Sequence, residues 1–531
     1  MLKIIIIIFT LIYIIIKSKG AFHMLQQNLY NENNRYFKWI IKNINEAINK
    51  SDIIILILSI LIIFTKTKVA EEFIICLMSL IYFLGSINLL RDYKKAQNKK
   101  PLVITARIKR LMFTSIIIII GLFTVYYFKD NLTNLLIINF ITIILYLVIM
   151  IINIINYPIE RMVYFYYLNK AKKKLLNMNN LKVIGITGSY GKTSSKNILN
   201  DILNVKYNSL ATPKNLNTHY GLMITINNHL SKFDDIFIAE MGAYVKGEIK
   251  SLCEFVKPTY AILTTIGTAH LETFGSEENI IEAKFELVES LPKDGLAILN
   301  KDDSKQVNYK LKNKVKIKWF AINNKDADVF ALNIKCDNKG TNFDVKFKDD
   351  NELYHFTTKL LGNHNVYNIL SSILLGKELG LSIKELQNGV RSVNQIEHRL
   401  ELKPIFNFYQ IDDAYNSNPI GAKSALDVLN MMPGVKVVVT PGMIELGKKE
   451  FELNKIFGKQ ISSVADYVIL IGEKRTKAIY EGLLDCKYDK DNIYILNDVR
   501  DAYKLISTLK SKKEVYALFE NDLPDTYNEG K

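Results

Sequence analysis

Residues 183–194 read Val183-Ile184-Gly185-Ile186-Thr187-Gly188-Ser189-Tyr190-Gly191-Lys192-Thr193-Ser194. The short apolar run 183–186 predicts a strand, 187–194 a glycine-rich turn, and 195–203 a helix. A strand leading through a glycine turn into a helix N-terminus is a cradle for phosphate. Backbone N–H groups and the helix dipole face the anion, Lys192 can bridge phosphates, and the Thr193 hydroxyl can ligate Mg²⁺. The standard loop of this kind has a further glycine five positions before Gly191, where this chain has Ile186. The cradle is thus a compact variant formed by Gly188, Ser189, Tyr190, Gly191, Lys192, Thr193 and Ser194. It reads as an ATP site; the alternative is an ordinary glycine turn carrying an exposed lysine.

Outward from this loop the 531-residue chain divides into unlike parts, and its length suggests about three domains. Before residue 157 it is dominated by Ile, Leu and Phe, with apolar runs at 2–16, 53–64, 73–90, 112–128 and 135–155. A crossing takes roughly 20 helical residues, so about five spans are expected, the first two being short. The first run is followed by Lys17-Ser18-Lys19 and fits a signal anchor better than a cleaved signal. The loop after the third run carries Arg91, Lys94, Lys95, Lys99, Lys100, Arg107, Lys109 and Arg110, whereas the next has only Lys129 beside Asp130. Positive loops stay inside, which predicts a multi-pass plasma-membrane protein with cytoplasmic catalytic domains. No interior carboxylate or histidine is expected along these spans. They read either as a plain anchor or as a platform for a lipid-linked substrate. A transporter with an ATPase appendage would need a polar pathway through them. The net charge of +16 is spread widely and no aromatic–basic motif accompanies it, which argues against nucleic acid. The four cysteines, Cys76, Cys253, Cys336 and Cys486, have no metal spacing and predict no disulfide framework.

Downstream of the loop, residues 236–239 predict a buried strand ending at Glu240-Met241-Gly242. A carboxylate at the C-terminal edge of a parallel strand is where a Mg²⁺–phosphate site needs one. A second strand, 260–265, leads to Ile266-Gly267-Thr268-Ala269-His270, so His270 stands at the next strand end. Lys284 follows on a predicted helix.

The ordered set Gly191-Lys192-Thr193-Ser194, Glu240-Met241-Gly242-Ala243, Ile266-Gly267-x-x-His270-Leu271, Ala283-Lys284-x-Glu286 and Asn300-x-Asp302-Asp303 resembles the Mur ligase family. Leu361-Gly362-Asn363-His364-Asn365 with Asn368, and His398-Arg399-Leu400-Glu401, continue the resemblance. Asp412-Asp413-Ala414-Tyr415-Asn416-Ser417-Asn418-Pro419 and Gly442-Met443-Ile444-Glu445-Leu446-Gly447 resemble the branch that adds D-alanyl-D-alanine. The resemblance covers about residues 181–475. It implies an ATP- and Mg²⁺-dependent ligase that activates a carboxylate of a peptidoglycan precursor as an acyl phosphate. Lys192 would bind the β- and γ-phosphates, and Thr193 and Glu240 would hold one Mg²⁺. His270 and Lys284, the latter carbamylated as in the family, would serve a second. Asn300 would face the adenine, with Arg399 and Asp413 reaching the nucleotide from the C-terminal side. Thr212, Asn215, Asn217, Asp412, Tyr415, Asn416, Asn418, Pro419 and Glu445 would line the sites for acceptor and incoming amine. Expected partners are a UDP-linked or lipid-linked peptidoglycan precursor, D-alanyl-D-alanine, membrane lipid and other cell-wall synthesis proteins.

The implied fold is an α-helical transmembrane region at 1–156 followed by two α/β domains. These are a central P-loop ATPase domain at 157–397 and a Rossmann-like C-terminal domain at 398–531. Within the central domain, 316–356 alternates like small strands. Three features depart from the family. Membrane spans replace its uridine-nucleotide domain, Gly442 stands where the dipeptide-adding branch has an aspartate, and residues 518–525 replace a lysine-glycine-serine turn. The alternative is a Mur-like ligase that adds or amidates another group on a lipid-linked envelope precursor.

Overall fold

The computed structural model describes residues 2–95, 101–129, 132–267, 271–395, 398–414, 419–444, 446, 449–509 and 513–521. Compact packing divides the chain between Tyr166 and Tyr167, inside the helix Tyr157–Leu176 and not at its start as the sequence suggested.

The first unit is helical. Leu2–Gln27, Lys68–Lys95 and Ala106–Phe128 are long and apolar enough to cross a membrane. Leu132–Ile143 and Leu145–Ile155 are bent by 87° and make at most a fourth, broken span. The expectation of five is therefore corrected to three, or up to four, among the described residues. The helix Lys50–Ile63 has only 14 residues, too few for a crossing. Asp52 and His23 are buried, and Asp52 pairs with buried Lys17 at 2.8 Å. Lys17 Nζ also donates to the carbonyls of Thr142 and Ile143, at 2.9 and 3.0 Å. Those carbonyls lie at the end of a helix, where no further turn can donate to them, so the ammonium satisfies the broken span.

The second unit holds two sheets. The larger orders its strands β2-β3-β1-β4-β5-β6-β7-β8-β9. Their ranges are β1 Lys182–Thr187, β2 Ser209–Ala211, β3 Ile236–Glu240, β4 Tyr260–Leu263, β5 Leu296–Asn300, β6 Lys316–Ala321, β7 Val329–Asp337, β8 Gly340–Phe347 and β9 Leu353–Thr358. From β2 to β7 all neighbours are parallel; β7, β8 and β9 form an antiparallel extension. The alternating stretch 316–356 is thus part of the main sheet. Ile184 and Ile186 of β1 are fully buried, and β3 is buried along its whole length, as central parallel strands covered on both faces must be. Burying each such isoleucine contributes about 1.5–3 kcal/mol. Because β1 lies between β3 and β4, connections leave it in both directions. Its C-terminal edge is a topological switch point, where α/β sheets open a crevice.

The smaller sheet orders its strands β10-β11-β15-β12-β13-β14. They are β10 Glu401–Ile405, β11 Phe408–Asp413, β12 Val435–Thr440, β13 Tyr467–Ile471, β14 Ile493–Leu496 and β15 Val515–Glu520. Only β10 runs antiparallel. Helices Pro419–Met431, Glu450–Ser462, Glu473–Asp485 and Val499–Thr508 accompany it, giving the expected Rossmann-like layering.

Candidate active site

The glycine turn follows β1 directly, and the helix after it starts at Lys192, three residues earlier than the apolar pattern suggested. Gly188 has φ +152°, and a Cβ there would strike the Thr264 hydroxyl; Gly191 has φ +80° and caps the helix. Both positions therefore require glycine. The turn is laced to the segment after β4. Ser189 Oγ donates to the Gly267 carbonyl at 3.0 Å, and Thr264 Oγ1 donates to the Tyr190 carbonyl at 2.7 Å. The Ser189 and Tyr190 amides point to the Thr265 carbonyl, at 2.9 and 3.4 Å. The amides best placed for an anion are thus those of the first helical turn, from Gly191 to Ser194, which have no intrahelical acceptor. Lys192 Nζ lies over the same turn, donating to the Gly188 and Ser189 carbonyls at 2.8 and 3.1 Å. Burial lowers its pKa, Glu240 opposes that shift, and the nearby Arg399 charge adds to it.

Glu240, at the end of β3, faces the first turn of that helix. Its Oε1 accepts from Thr193 Oγ1 and from Asn217 Nδ2, both at 3.1 Å. Its Oε2 lies 3.2 Å from Lys196 Nζ, and both side chains are only 1% exposed. Its amide donates to Thr212 Oγ1 at 3.2 Å. Loop 212–217 therefore wraps around the carboxylate, bringing Thr212 and Asn217 beside Thr193. Lys196 did not emerge from the sequence as a site residue. The available signal was its place one helical turn beyond Lys192, on the same helix face. Hydroxyl and carboxylate oxygens together form the hard donor set that Mg²⁺ prefers, so Thr193 and Glu240 fit the metal role.

Lys284 lies on the helix Glu277–Glu289, 2% exposed, with its Nζ 5.4 Å from the centre of the Phe274 ring. Burial, followed by the Lys192 charge, lowers its pKa to about 7. Asn300, at the end of β5, is buried and its Oδ1 accepts the Asp302 amide at 3.0 Å. The C-terminal domain brings further charge toward the loop. The field of Arg399 acts on Lys192, His364 and Asp413. Asp413 ends β11 opposite Glu520 of β15, accepts the Leu400 amide at 3.2 Å, and is pushed up to about 6 by burial. Asp412 turns the other way, to His398 Nδ1 at 2.9 Å and Lys403 Nζ at 3.0 Å, and so is engaged at the start of the C-terminal domain. His364 Nδ1 and Ser424 Oγ, 3.0 Å apart, join the helix Asn363–Glu378 to Pro419–Met431, which begins at Pro419. Burial lowers His364 to about 4, so its ring is neutral at physiological pH. His270, Tyr415, Asn416, Asn418 and Glu445 lie outside the described residues.

Residues 186–376 match the family model of the Mur ligase middle domain, and residues 398–518 that of the Mur ligase, glutamate ligase domain. The UDP-N-acetylmuramoyl-tripeptide–D-alanyl-D-alanine ligase of Bacillus subtilis (strain 168) is 30% identical over 364 residues, covering 66% of this chain and 75% of that protein. Its Escherichia coli (strain K12) counterpart is 30% identical over 296 residues, covering 55% of this chain and 65% of that protein. Among solved structures, MurF from Acinetobacter baumannii superposes with a TM-score of 0.59 at 26% identity, covering 68% of this chain and 77% of that one. The MurF ligase of Thermotoga maritima in complex with ADP gives 0.59 at 26% identity, covering 67% and 80%.

Proposed function

The chain belongs to the Mur ligase family of ATP-dependent amide ligases, and on that premise we propose that it adds D-alanyl-D-alanine to a muramoyl tripeptide of a peptidoglycan precursor. The observation that carries this reading is the convergence of Lys192, Thr193 and Glu240 at the end of β1 and β3, with loop 212–217 against them. First-turn amides and Lys192 hold the β- and γ-phosphates while Arg399 adds positive charge. Thr193 and Glu240 would hold Mg²⁺, which would neutralise phosphate charge. The acceptor carboxylate attacks the γ-phosphorus, the bond to ADP breaks, and an acyl phosphate forms. The dipeptide amine then attacks the carbonyl carbon, loses its proton, and phosphate leaves. Positioning contributes most of the acceleration, since each step needs aligned partners and little else from the protein.

Lys284 supports a further part of the reading. With a pKa near 7, about half of its amine is neutral at pH 7 and able to add to CO₂. Forming the N–C bond and releasing a proton gives a carbamate, which changes a cation into an anion suited to a second Mg²⁺.

The helical unit anchors the ligase in the plasma membrane, with the α/β domains cytoplasmic. Three span-length helices and the basic stretch between the second and third support this. A lipid-linked acceptor is the second reading. It is favoured because both family matches lie within 186–518, while Leu2–Gln27, Lys68–Lys95 and Ala106–Phe128 are apolar helices of span length. The test is phosphate release by the full-length protein in detergent with ATP, Mg²⁺ and D-alanyl-D-alanine, comparing UDP-linked and lipid-linked muramoyl tripeptide. Turnover with the UDP form supports the first reading, and turnover with the lipid form alone the second. Silence with both, in protein that binds ATP, would favour addition or amidation of another group.

A further inference from the structure

We propose that Lys196 is a positioning residue that joins the metal edge of the site to loop 212–217. A buried ammonium must be paired and hydrogen-bonded, and the partners of this one are informative. One is Glu240 Oε2, at 3.2 Å. The other is the carbonyl of Lys214, at 2.6 Å, in the middle of the loop. Lys196 lies beside Oε2 as an ion pair, which favours the orientation in which Oε1 faces Thr193. Oε1 is thus the Glu240 oxygen turned toward Thr193, the side on which these two residues would hold Mg²⁺. A mere neutraliser of Glu240 would need no contact with the loop. Backbone bonds tie the loop's ends to β3 and the turn after it, Thr212 N–H to the Ile238 carbonyl at 3.0 Å and Gly242 N–H to the Asn217 carbonyl at 2.9 Å. Side chains add three ties: Thr212 Oγ1 to the Glu240 amide, Lys196 to the Lys214 carbonyl, and Asn217 Nδ2 to Glu240 Oε1. Two of these three depend on the side chains of the Lys196–Glu240 pair. One ion pair thus links the middle of the loop to the orientation of the Glu240 carboxylate.

This inference rests on Thr193 and Glu240 holding Mg²⁺ beside the nucleotide. The test uses the full-length protein and two readouts apart from turnover: Mg²⁺-dependent binding of ADP by calorimetry, and hydrogen exchange of the 212–217 amides. In Lys196→Met the Mg²⁺ concentration for half-maximal ADP binding should rise about tenfold, as for loss of a metal ligand's orienting partner. Binding in EDTA should hold, and loop amides should exchange faster. In steady-state assays KM for the muramoyl acceptor should rise more than kcat falls. Lys196→Arg, which can reach both oxygens, should recover much of the Mg²⁺ response. If Lys196→Met does not fold, Lys196→Gln carries the same measurements. Parent-like Mg²⁺ dependence and loop protection in the folded variant would overturn the inference. Parent protein whose ADP binding ignores Mg²⁺ would instead overturn the site reading beneath it.

Discussion

Thr193 Oγ1 and Glu240 Oε1 stand 3.1 Å apart, although 47 residues separate them in the chain. The first opens the helix after the glycine turn; the second ends the neighbouring strand β3. Lys192 is adjacent, folded over the turn. Replacing Lys192 by Ala removes the proposed phosphate ligand and its two bonds to the Gly188 and Ser189 carbonyls, while the backbone of strand and helix is untouched. We expect Lys192→Ala to lower ATP turnover by at least about a hundredfold to a thousandfold, the usual cost of losing a transition-state donor. Its thermal midpoint should stay close to the parent's. Phosphate release and circular-dichroism melting measure the two halves, and retained turnover would refute the assignment of the site.

The Lys284 amine gives a pH-dependent expectation. An ordinary lysine is neutral in roughly one molecule in a few thousand at pH 7, whereas a pKa near 7 leaves about half of Lys284 unprotonated. Below that value protonation blocks addition to CO₂. Protein degassed of CO₂ should lose activity, regain it readily with bicarbonate at pH 8, and regain it poorly at pH 6. Lys284→Ala should be inactive and partly restored by short carboxylic acids. Activity of that variant without added acid would exclude the carbamate.

Asp413 affects stability in the opposite direction from a salt-bridged carboxylate. Its folded pKa is raised from 3.8 to about 6 by burial. Between those values the folded chain holds a proton that the unfolded chain has released, so stability falls as pH rises through this window. Above pH 6 the whole cost of the buried charge is present. Asp413→Asn, which can still accept the Leu400 amide, should raise the melting midpoint by a few degrees or so at pH 8. At pH 5 the gain should be smaller. Calorimetry at both values decides, and an equal gain at each would exclude ionisation as the cause.

The strand–glycine turn–helix unit was legible because it is local: strand, glycine turn, lysine and threonine are consecutive, and Glu240 ends a strand whose apolar run is plain. Lys196 was not, since its meaning depends on Glu240 and Lys214, which reach it only through the sheet and a loop. The same reason explains the miscounted spans. Residues 135–155 form one apolar run with no proline or glycine, so nothing local announces the bend after Ile143. The bend is stabilised from outside, by Lys17 in another helix. Lys17 and Asp52 flank apolar runs and so resembled ordinary boundary charges. Asp412 and Asp413 show the complementary limit. The family resemblance assigned them different roles, Asp413 toward the nucleotide and Asp412 toward the acceptor and amine, and alternation along β11 sends their side chains to opposite faces. The resemblance did not show that Asp412 is taken up by His398 and Lys403.

The Lys17–Asp52 pair supplies the last prediction. Asp52 Oδ2 receives Lys17 at 2.8 Å and the Asn49 amide at 2.9 Å, while Oδ1 receives the Tyr13 hydroxyl at 2.9 Å. The pair thus caps the helix Lys50–Ile63 and, through Lys17, closes the end of Leu132–Ile143. Removing one partner of a buried pair leaves the other charge uncompensated and typically costs about 3–5 kcal/mol, whereas neutralising both costs much less. Lys17→Met should therefore destabilise the helical unit strongly. Lys17→Met combined with Asp52→Asn should be closer to the parent, because the introduced side-chain amide can still accept from the Asn49 backbone N–H and no bare charge remains. Melting of the three proteins in the same detergent measures the coupling. Additive losses would mean that the two side chains act independently, and that the bend at 143–145 is held by apolar packing alone.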